Sequence, residues 1–126
     1  MPAFDLSLPE LELYQGTNPR PSDFDAYWDA ALTELEGHDP AVQLEPNLTI
    51  NHPAVECFDL WFTGVGGARV YAKYVRPRGI SESGPAVLRF HGYSHYSGDW
   101  MESVGYASAG IAMAALDCRG QGARRM

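Results

Sequence analysis

Two short apolar runs separated by a helical segment constrain most strongly how this chain can fold. The runs, Pro85 to Phe90 and Ile111 to Leu116, look buried on both faces, which is typical of parallel strands. Between them lie a loop rich in glycine and tyrosine, His91 to Gly98, and a helix that begins at Asp99 and ends at Gly110. This order predicts a βαβ unit, and therefore an α/β fold with a parallel sheet.

An antiparallel pair of strands is predicted ahead of this unit. Ala54 to Phe62 and Ala68 to Val75 are rich in β-branched and aromatic residues, and the glycine-rich Thr63 to Gly67 between them is typical of a hairpin connection. Alternate residues of the second strand fall on opposite faces, which suits a sheet with one solvent-exposed side.

The chain is predicted to divide into residues 1–41, an N-terminal arm with an amphipathic helix, and residues 42–126, which hold the strands. The proline-containing segment before Ser22 lacks periodicity, so we expect an irregular arm there. Ser22 is a suitable N-cap, Asp25 can close a capping box, and Gly37 ends the helix. The apolar stripe of this helix consists of Phe24, Trp28, Ala31, Leu32 and Leu35.

The composition excludes several functions. A formal net charge of −7 argues against nucleic acid and against anionic membrane surfaces, because both require clustered lysine and arginine. No apolar run is long enough to span a bilayer and no secretory signal is present, so we expect a cytoplasmic location. Cys57 and Cys118 are interpreted as two free, buried thiols, although a single disulfide remains open at this point.

The strand end Arg89 to Tyr93 is the strongest indication of chemistry. A rigid main-chain N–H in a loop after a strand can stabilise a carbonyl oxygen that gains negative charge, and Gly92 allows the close turn. The alternative is that His-Gly simply ends a strand. Ser94 imitates a nucleophile elbow, but Tyr96 stands where the motif requires glycine, so we do not expect a nucleophile there. His91 and His95 lack a convincing third ligand, so we expect neither a metal nor a cofactor.

A second loop, Asp117 to Gly122, follows the other buried strand. Two glycines flank Gln121, which indicates a tight loop at the carboxyl edge of the sheet, where α/β enzymes place their sites. The alternative is a structural network in which Asp117 or Gln121 satisfies the turn and Arg119 pairs with a carboxylate.

Together these segments resemble the acetyl xylan esterase and cephalosporin-C deacetylase family of α/β-hydrolases. The similarity spans essentially all 126 residues in the same order, and the Arg-Gly-Gln-Gly sequence is its most specific part. The matching segments are Met1 to Leu6, Asp23 to Trp28, His91 to Tyr93, Asp99 with Trp100, the strand after Gly110, and Asp117 to Gly122.

The resemblance implies a Ser-His-Asp hydrolase that removes acetyl groups from sugars and similar alcohols, often as a ring-like hexamer. It also implies that Tyr93 gives its backbone N–H to the oxyanion hole. Gly92, Tyr93 and Trp100 are the expected substrate contacts. In such proteins the nucleophile, the acid and the histidine lie downstream. We therefore expect an incomplete α/β-hydrolase: its N-terminal part, inactive by itself.

Two other functions are weighed against this one. A small carbohydrate-binding or interaction module could use Tyr93, Tyr96 and Trp100, but it would require a closed all-β fold, which the helical stripe and the βαβ pattern disfavour. A nucleotide-binding α/β domain would require a different glycine spacing after its strands. The sequence leaves open whether the stop after Met126 is natural and which acetyl ester is preferred.

Overall fold

The computed structural model of the chain describes residues 5–80 and 83–122, so Met1 to Phe4, part of the matching N-terminal segment, lie outside it. The chain divides into two compact units, Met1–Thr33 and Glu34–Met126. The described helices are α1 (Leu8–Leu13), α2 (Phe24–Glu36) and α3 (Trp100–Ser108). The described strands are β1 (Gln43–Pro46), β2 (Val55–Thr63), β3 (Arg69–Pro77), β4 (Ala86–Arg89) and β5 (Ala112–Asp117).

Helix α1 occupies the segment that was predicted to be an irregular arm, so that prediction is wrong over these residues. Ser7 and Glu10 form a capping box, in which the Ser7 N–H and hydroxyl both donate to the Glu10 carboxylate, at 2.9 and 2.6 Å. These hydrogen bonds lower the pKa of Glu10. Pro9 lies in the first turn, where a proline costs no helical hydrogen bond.

Helix α2 confirms the predicted helix and its end before Gly37. An N-cap at Ser22 would make Asp23 the first helical residue, but the helix begins at Phe24. The carboxylate of Asp25 accepts a hydrogen bond from the guanidinium of Arg20, so this side chain serves an ion pair.

The strands form one mixed five-stranded sheet in the order β1-β2-β3-β5-β4. Strands β2 and β3 pair antiparallel from Val55↔Pro77 to Thr63↔Arg69, joined by a 3₁₀ turn at Val65–Gly67, as the hairpin pattern predicted. β3 pairs antiparallel with β5, and β5 pairs parallel with β4. The predicted βαβ unit is therefore confirmed, with α3 between its two parallel strands. Strand β1 was not predicted.

The core lies between α3 and strands β2 and β3. Val55, Cys57, Val75, Val104 and Ala107 form one buried cluster. The capping of α3 follows the sequence in part, because the side chain of its N-cap, Asp99, accepts from Met101 N at 2.8 Å. Burying these side chains removes apolar surface from water, which is the main force that holds the helix on the sheet.

Strand β3 lacks the solvent-exposed side that its alternating pattern predicted. Tyr71, on the face expected to be polar, is 4% exposed. Its hydroxyl donates to the carboxylate of Asp59, and its ring lies 4.9 Å from that of Trp61. A tyrosine can be buried in this way because its polar end has a partner.

Strand β4 is also more exposed than predicted. Leu88 is 58% exposed and Phe90, just after the strand, is 61% exposed, whereas β5 alternates between buried and half-buried residues. The reason is topological: β4 ends the sheet, and within the described residues it pairs only with β5. Its outer edge therefore presents unpaired backbone groups beside apolar side chains.

Both cysteines are free, as expected, but only Cys57 is buried, whereas Cys118 is half-buried. Burial raises the pKa of the Cys57 thiol, and the positive charge of Arg78 opposes this shift to a smaller degree. Among the described helices, none is long and apolar enough to cross a membrane.

We expect the open edge of β4 to make the chain self-associate. Sedimentation velocity at micromolar concentration should show species larger than a monomer, and Leu88→Lys should shift them towards the monomer, because a charge on an edge strand opposes edge-to-edge pairing. Leu48→Lys is the matched control, since Leu48 is 87% exposed and lies outside the strands. A wild-type chain that sediments as a single monomer would contradict this prediction.

The two thiols should differ in reactivity. The thiolate is the reactive form, and both burial and a raised pKa keep Cys57 protonated, so iodoacetamide should modify Cys118 first at neutral pH. Modification of Cys57 should become appreciable only as the pH rises above the ordinary thiol value of 9.0. Peptide mass spectrometry over a pH series measures both rates, and equal rates at neutral pH would contradict this assignment.

Candidate active site

Two loops lie at the same edge of the sheet. The first follows β4 and the second follows β5, and these neighbouring strands run parallel, with Arg89 opposite Ala115. Their carboxyl ends therefore meet at one edge, the position at which open α/β sheets bind ligands. The segments His91 to Tyr93 and Asp117 to Gly122 are brought together there.

The first loop contains a tight turn, Gly92 to His95, which we call the donor turn. It is closed by a hydrogen bond from His95 N to Gly92 O of 3.1 Å. Ser94, its third residue, has φ of +61°, which matches a type II turn, where this position usually holds glycine. A left-handed non-glycine residue costs about 1–3 kcal/mol, so contacts around the turn must stabilise it.

The donor turn carries two successive main-chain N–H groups, of which one has an acceptor among the described residues and the other has none. Ser94 N donates to Gln121 Oε1 at 2.9 Å. Tyr93 N–H, in contrast, has no acceptor among the described residues, and Tyr93 is 89% exposed. A main-chain donor at the carboxyl edge of the sheet is thus available to an oxygen atom from outside this part of the chain.

Both ring nitrogens of His91 contact backbone atoms. Nε2 lies 3.0 Å from Cys118 N, and Nδ1 lies 2.7 Å from Gly92 O. Because an amide N–H can only donate and a carbonyl can only accept, Nδ1 carries the proton and the imidazole is neutral. These contacts make His91 a structural residue, and no metal-binding cluster of three side chains occurs in the described ranges.

Asp117 is buried beside both loops. Its Oδ1 accepts a hydrogen bond of 2.5 Å from Ser97 N, and the two residues are 4% and 2% exposed. Gly122, with φ of +107°, lies so close that a Cβ built there would stand 2.3 Å from Asp117 Oδ2. The second loop can therefore close over the carboxylate only because this residue is glycine.

Lys73 holds the end of the first loop. Its ammonium donates to Gly98 O and lies 5.6 Å from the ring of Tyr96 and 5.5 Å from that of Trp100. Trp100 also packs against the core cluster. Sequence reasoning missed Lys73, whose only signal is a cation in the middle of an apolar strand. A role for Trp100 in substrate binding remains a prediction.

Arg89 holds the same segment from β4. Its guanidinium donates to Ser97 O and to the carboxylate of Glu102. Glu102 lies three residues after the N-cap Asp99, a position from which it could complete a capping box, but it forms an ion pair with Arg89. Sequence reasoning missed this contribution of Arg89, because the pairing depends on how α3 packs against the sheet.

The second loop differs from the structural network that was the alternative interpretation. Asp117 and Gln121 both accept hydrogen bonds, but their donors lie in the first loop and not in the turn of the second. Arg119 does not pair with a carboxylate, because its guanidinium donates to Val65 O at 2.6 Å. Ser94 also lacks the setting of a nucleophile elbow, since α3 begins only at Trp100.

A separate hollow of about 450 Å³ lies at the opposite edge of the sheet. Its walls include Ile50, Glu56 and Arg78, near the start of β2 and the end of β3. Strands β3 and β5 are antiparallel, so the end of β3 lies beside the start of β5, where Val75 pairs with Met113. The hollow is therefore at the end of the sheet where the parallel strands β4 and β5 begin. It is therefore unconnected with the donor turn.

Gly122→Ala should destabilise the protein by about 1–3 kcal/mol, because the new methyl group meets Asp117 and the backbone is left-handed. The matched control is Gly105→Ala in α3, where no atom lies within 4 Å and alanine should stabilise by about 0.5–1 kcal/mol. Urea unfolding followed by circular dichroism measures both. Equal stabilities of the two variants would show that Asp117 and Gly122 are not in close contact.

The comparisons with known proteins indicate the family and the fold. The family model described as Acetyl xylan esterase (AXE1) matches residues 1–126. Acetyl Xylan Esterase 1 from Thermoanaerobacterium sp. JW/SL YS485 is similar in structure, with a TM-score of 0.87 and 47% identity over 96% of this chain. An acetyl xylan esterase from Paenibacillus sp. R4 has a TM-score of 0.82 and 29% identity over 93% of this chain.

The lengths differ markedly. This chain spans 38% of the length of each of these two enzymes. No curated protein matches it significantly. The family model nevertheless covers the full sequence, and both similar structures bear the name of that family. The chain belongs to the acetyl xylan esterase family.

Proposed function

We propose that this chain is the N-terminal part of an α/β-hydrolase that removes acetyl groups from acetylated sugars, and that Tyr93 N–H is one donor of its oxyanion hole. The observation that carries the proposal is the donor turn itself. It places an N–H without an acceptor in the described chain at the carboxyl edge of the sheet, beside a neighbouring N–H that is already bonded. Family membership supports the ester-hydrolase chemistry.

The proposed reaction is acyl transfer in two steps. A serine from the remainder of the hydrolase attacks the acetyl carbonyl carbon, and the carbonyl oxygen becomes an oxyanion that Tyr93 N–H stabilises by a hydrogen bond. Collapse of this intermediate breaks the ester bond and releases the sugar hydroxyl, leaving an acetyl group on the serine. Water then attacks the acetyl-enzyme and releases acetate.

The chain alone is proposed to be inactive. Ser94 cannot replace the missing nucleophile, because it lies in a turn followed by further loop rather than at the start of a helix. Loss of one oxyanion donor lowers a rate by about 10²–10³, but loss of the nucleophile removes the covalent route entirely. This chain would therefore supply one part of the catalytic machinery of an incomplete α/β-hydrolase.

The remaining features of the proposal concern partners. Gly92, Tyr93 and Trp100 would contact the substrate, either an acetylated xylo-oligosaccharide or a cephalosporin-C-like acetyl ester. The complete enzyme would be a cytoplasmic homo-oligomer that requires no metal or cofactor. The net charge of −7 supports the exclusion of nucleic acid. A carbohydrate-binding module is less well supported, because Tyr96 and Trp100 lie against Lys73.

The first test uses this chain as it stands. Purified chain should show no saturable turnover of 4-nitrophenyl acetate, because it holds no catalytic serine; free side chains such as the Cys118 thiol should react with this activated ester only slowly and without saturation. A chimera in which it replaces the matching segment of the Thermoanaerobacterium enzyme should hydrolyse this ester. Saturable turnover by the chain alone, abolished by Ser94→Ala, would overturn the proposal.

The role of Tyr93 is tested in the same chimera. Tyr93→Pro removes the N–H, and proline suits the second position of a type II turn, so kcat should fall by about 10²–10³ with the turn intact. Tyr93→Ala, which removes the ring and keeps the N–H, should reduce kcat far less. Equal effects of the two substitutions would contradict an oxyanion role for the amide.

A further inference from the structure

The two loops at the carboxyl edge hold each other through a reciprocal pair of hydrogen bonds. From the first loop, the His91 ring accepts from Cys118 N at 3.0 Å. From the second loop, the Gln121 side chain accepts from Ser94 N at 2.9 Å. Each loop thus contributes a side chain that binds the backbone of the other loop, in addition to the hydrogen bond that Asp117 accepts from Ser97 N.

The Gln121 side chain is held in a defined place. Gln121 N donates to Cys118 O at 2.8 Å, which closes a turn, and Gly120 has φ of +76°. Since an N–H requires an acceptor, the atom that faces Ser94 is the amide oxygen, and the amide nitrogen of Gln121 points elsewhere. The contact is therefore a single directed hydrogen bond from a fixed loop.

This contact affects the N–H of Tyr93 through the backbone. The bond to Ser94 N ties down the residue that adopts the left-handed conformation of the donor turn. It also occupies the N–H next to that of Tyr93, which therefore cannot compete with Tyr93 N–H for a substrate oxygen. Rotation of the Tyr93–Ser94 segment would break this bond and leave the Gln121 oxygen without its donor.

We infer that Gln121 is a positioning residue for ester cleavage: its side-chain carbonyl captures Ser94 N–H and so aims Tyr93 N–H at the oxyanion. The inference rests on the proposed function, and it assigns the Arg-Gly-Gln-Gly loop a role in catalysis through the donor turn. Gln121 itself touches neither the substrate nor the reacting atoms in this assignment.

The first arm of the test uses this chain and does not depend on activity. Amide hydrogen exchange with residue-level mass spectrometry at low micromolar concentration should show that Gln121→Leu accelerates exchange at Ser94 about five- to tenfold, the effect of losing one ordinary hydrogen bond. Exchange at Ser97, whose N–H is held by Asp117, should stay unchanged. Gln121→Glu, which keeps an acceptor, should restore protection at Ser94.

Matched controls make this arm decisive. Gln43→Leu removes a glutamine that binds Arg69 from β1, the edge strand at the other end of the strand order from β4, and it should leave Ser94 unaffected. If Gln121→Leu left Ser94 exchange unchanged, or accelerated Ser94 and Ser97 equally as general loosening would, the inference would be overturned.

The second arm measures catalysis in the chimera with the Thermoanaerobacterium enzyme. Gln121→Leu should lower kcat about 10- to 100-fold with little change in KM, because a donor misplaced by about 1 Å stabilises the transition state less and the ground state almost equally. Gln43→Leu should have no effect. An inactive parent chimera would contradict the proposed function, whereas an active parent that Gln121→Leu leaves unchanged would overturn only the role of Gln121.

Discussion

Asp117 joins the sheet to both loops of the candidate site. Its backbone is the last position of β5 and pairs with Tyr71 on β3, while its carboxylate accepts a hydrogen bond from the first loop. A carboxylate buried to this extent is costly unless it is hydrogen-bonded, so its position dictates where Ser97 must lie. Because Gly122 packs against the same group, the second loop depends on it too.

The parts of the fold that follow from periodicity could be predicted from the sequence. The hairpin and the βαβ unit each contain an apolar pattern bounded by glycines, and both occur as expected. Helix α1 is too short to show a period, and its signal was the local Ser7–Glu10 pair. The exposure of β4 could not be predicted, because a pattern of residues does not reveal whether a neighbouring strand is present.

The candidate site also has features that the sequence predicts and features that it does not. The sequence predicts that two loops meet at one edge, since this follows from the parallel arrangement of two strands. It does not predict that Gln121 faces Ser94 or that Lys73 lies beside two aromatic rings, because these contacts depend on side-chain directions in three dimensions. The donor role of Tyr93 came from family resemblance, and the structure adds the reason why its neighbour is occupied.

The contacts that hold the donor turn join residues that are well separated in the chain. Gln121 and Ser94 are 27 residues apart, as are His91 and Cys118, and Lys73 reaches Gly98 across 25. The entropy cost of closing such loops grows only slowly with their length. All of these contacts lie within residues 73–121, so an exchange of this stretch between related proteins would carry them together.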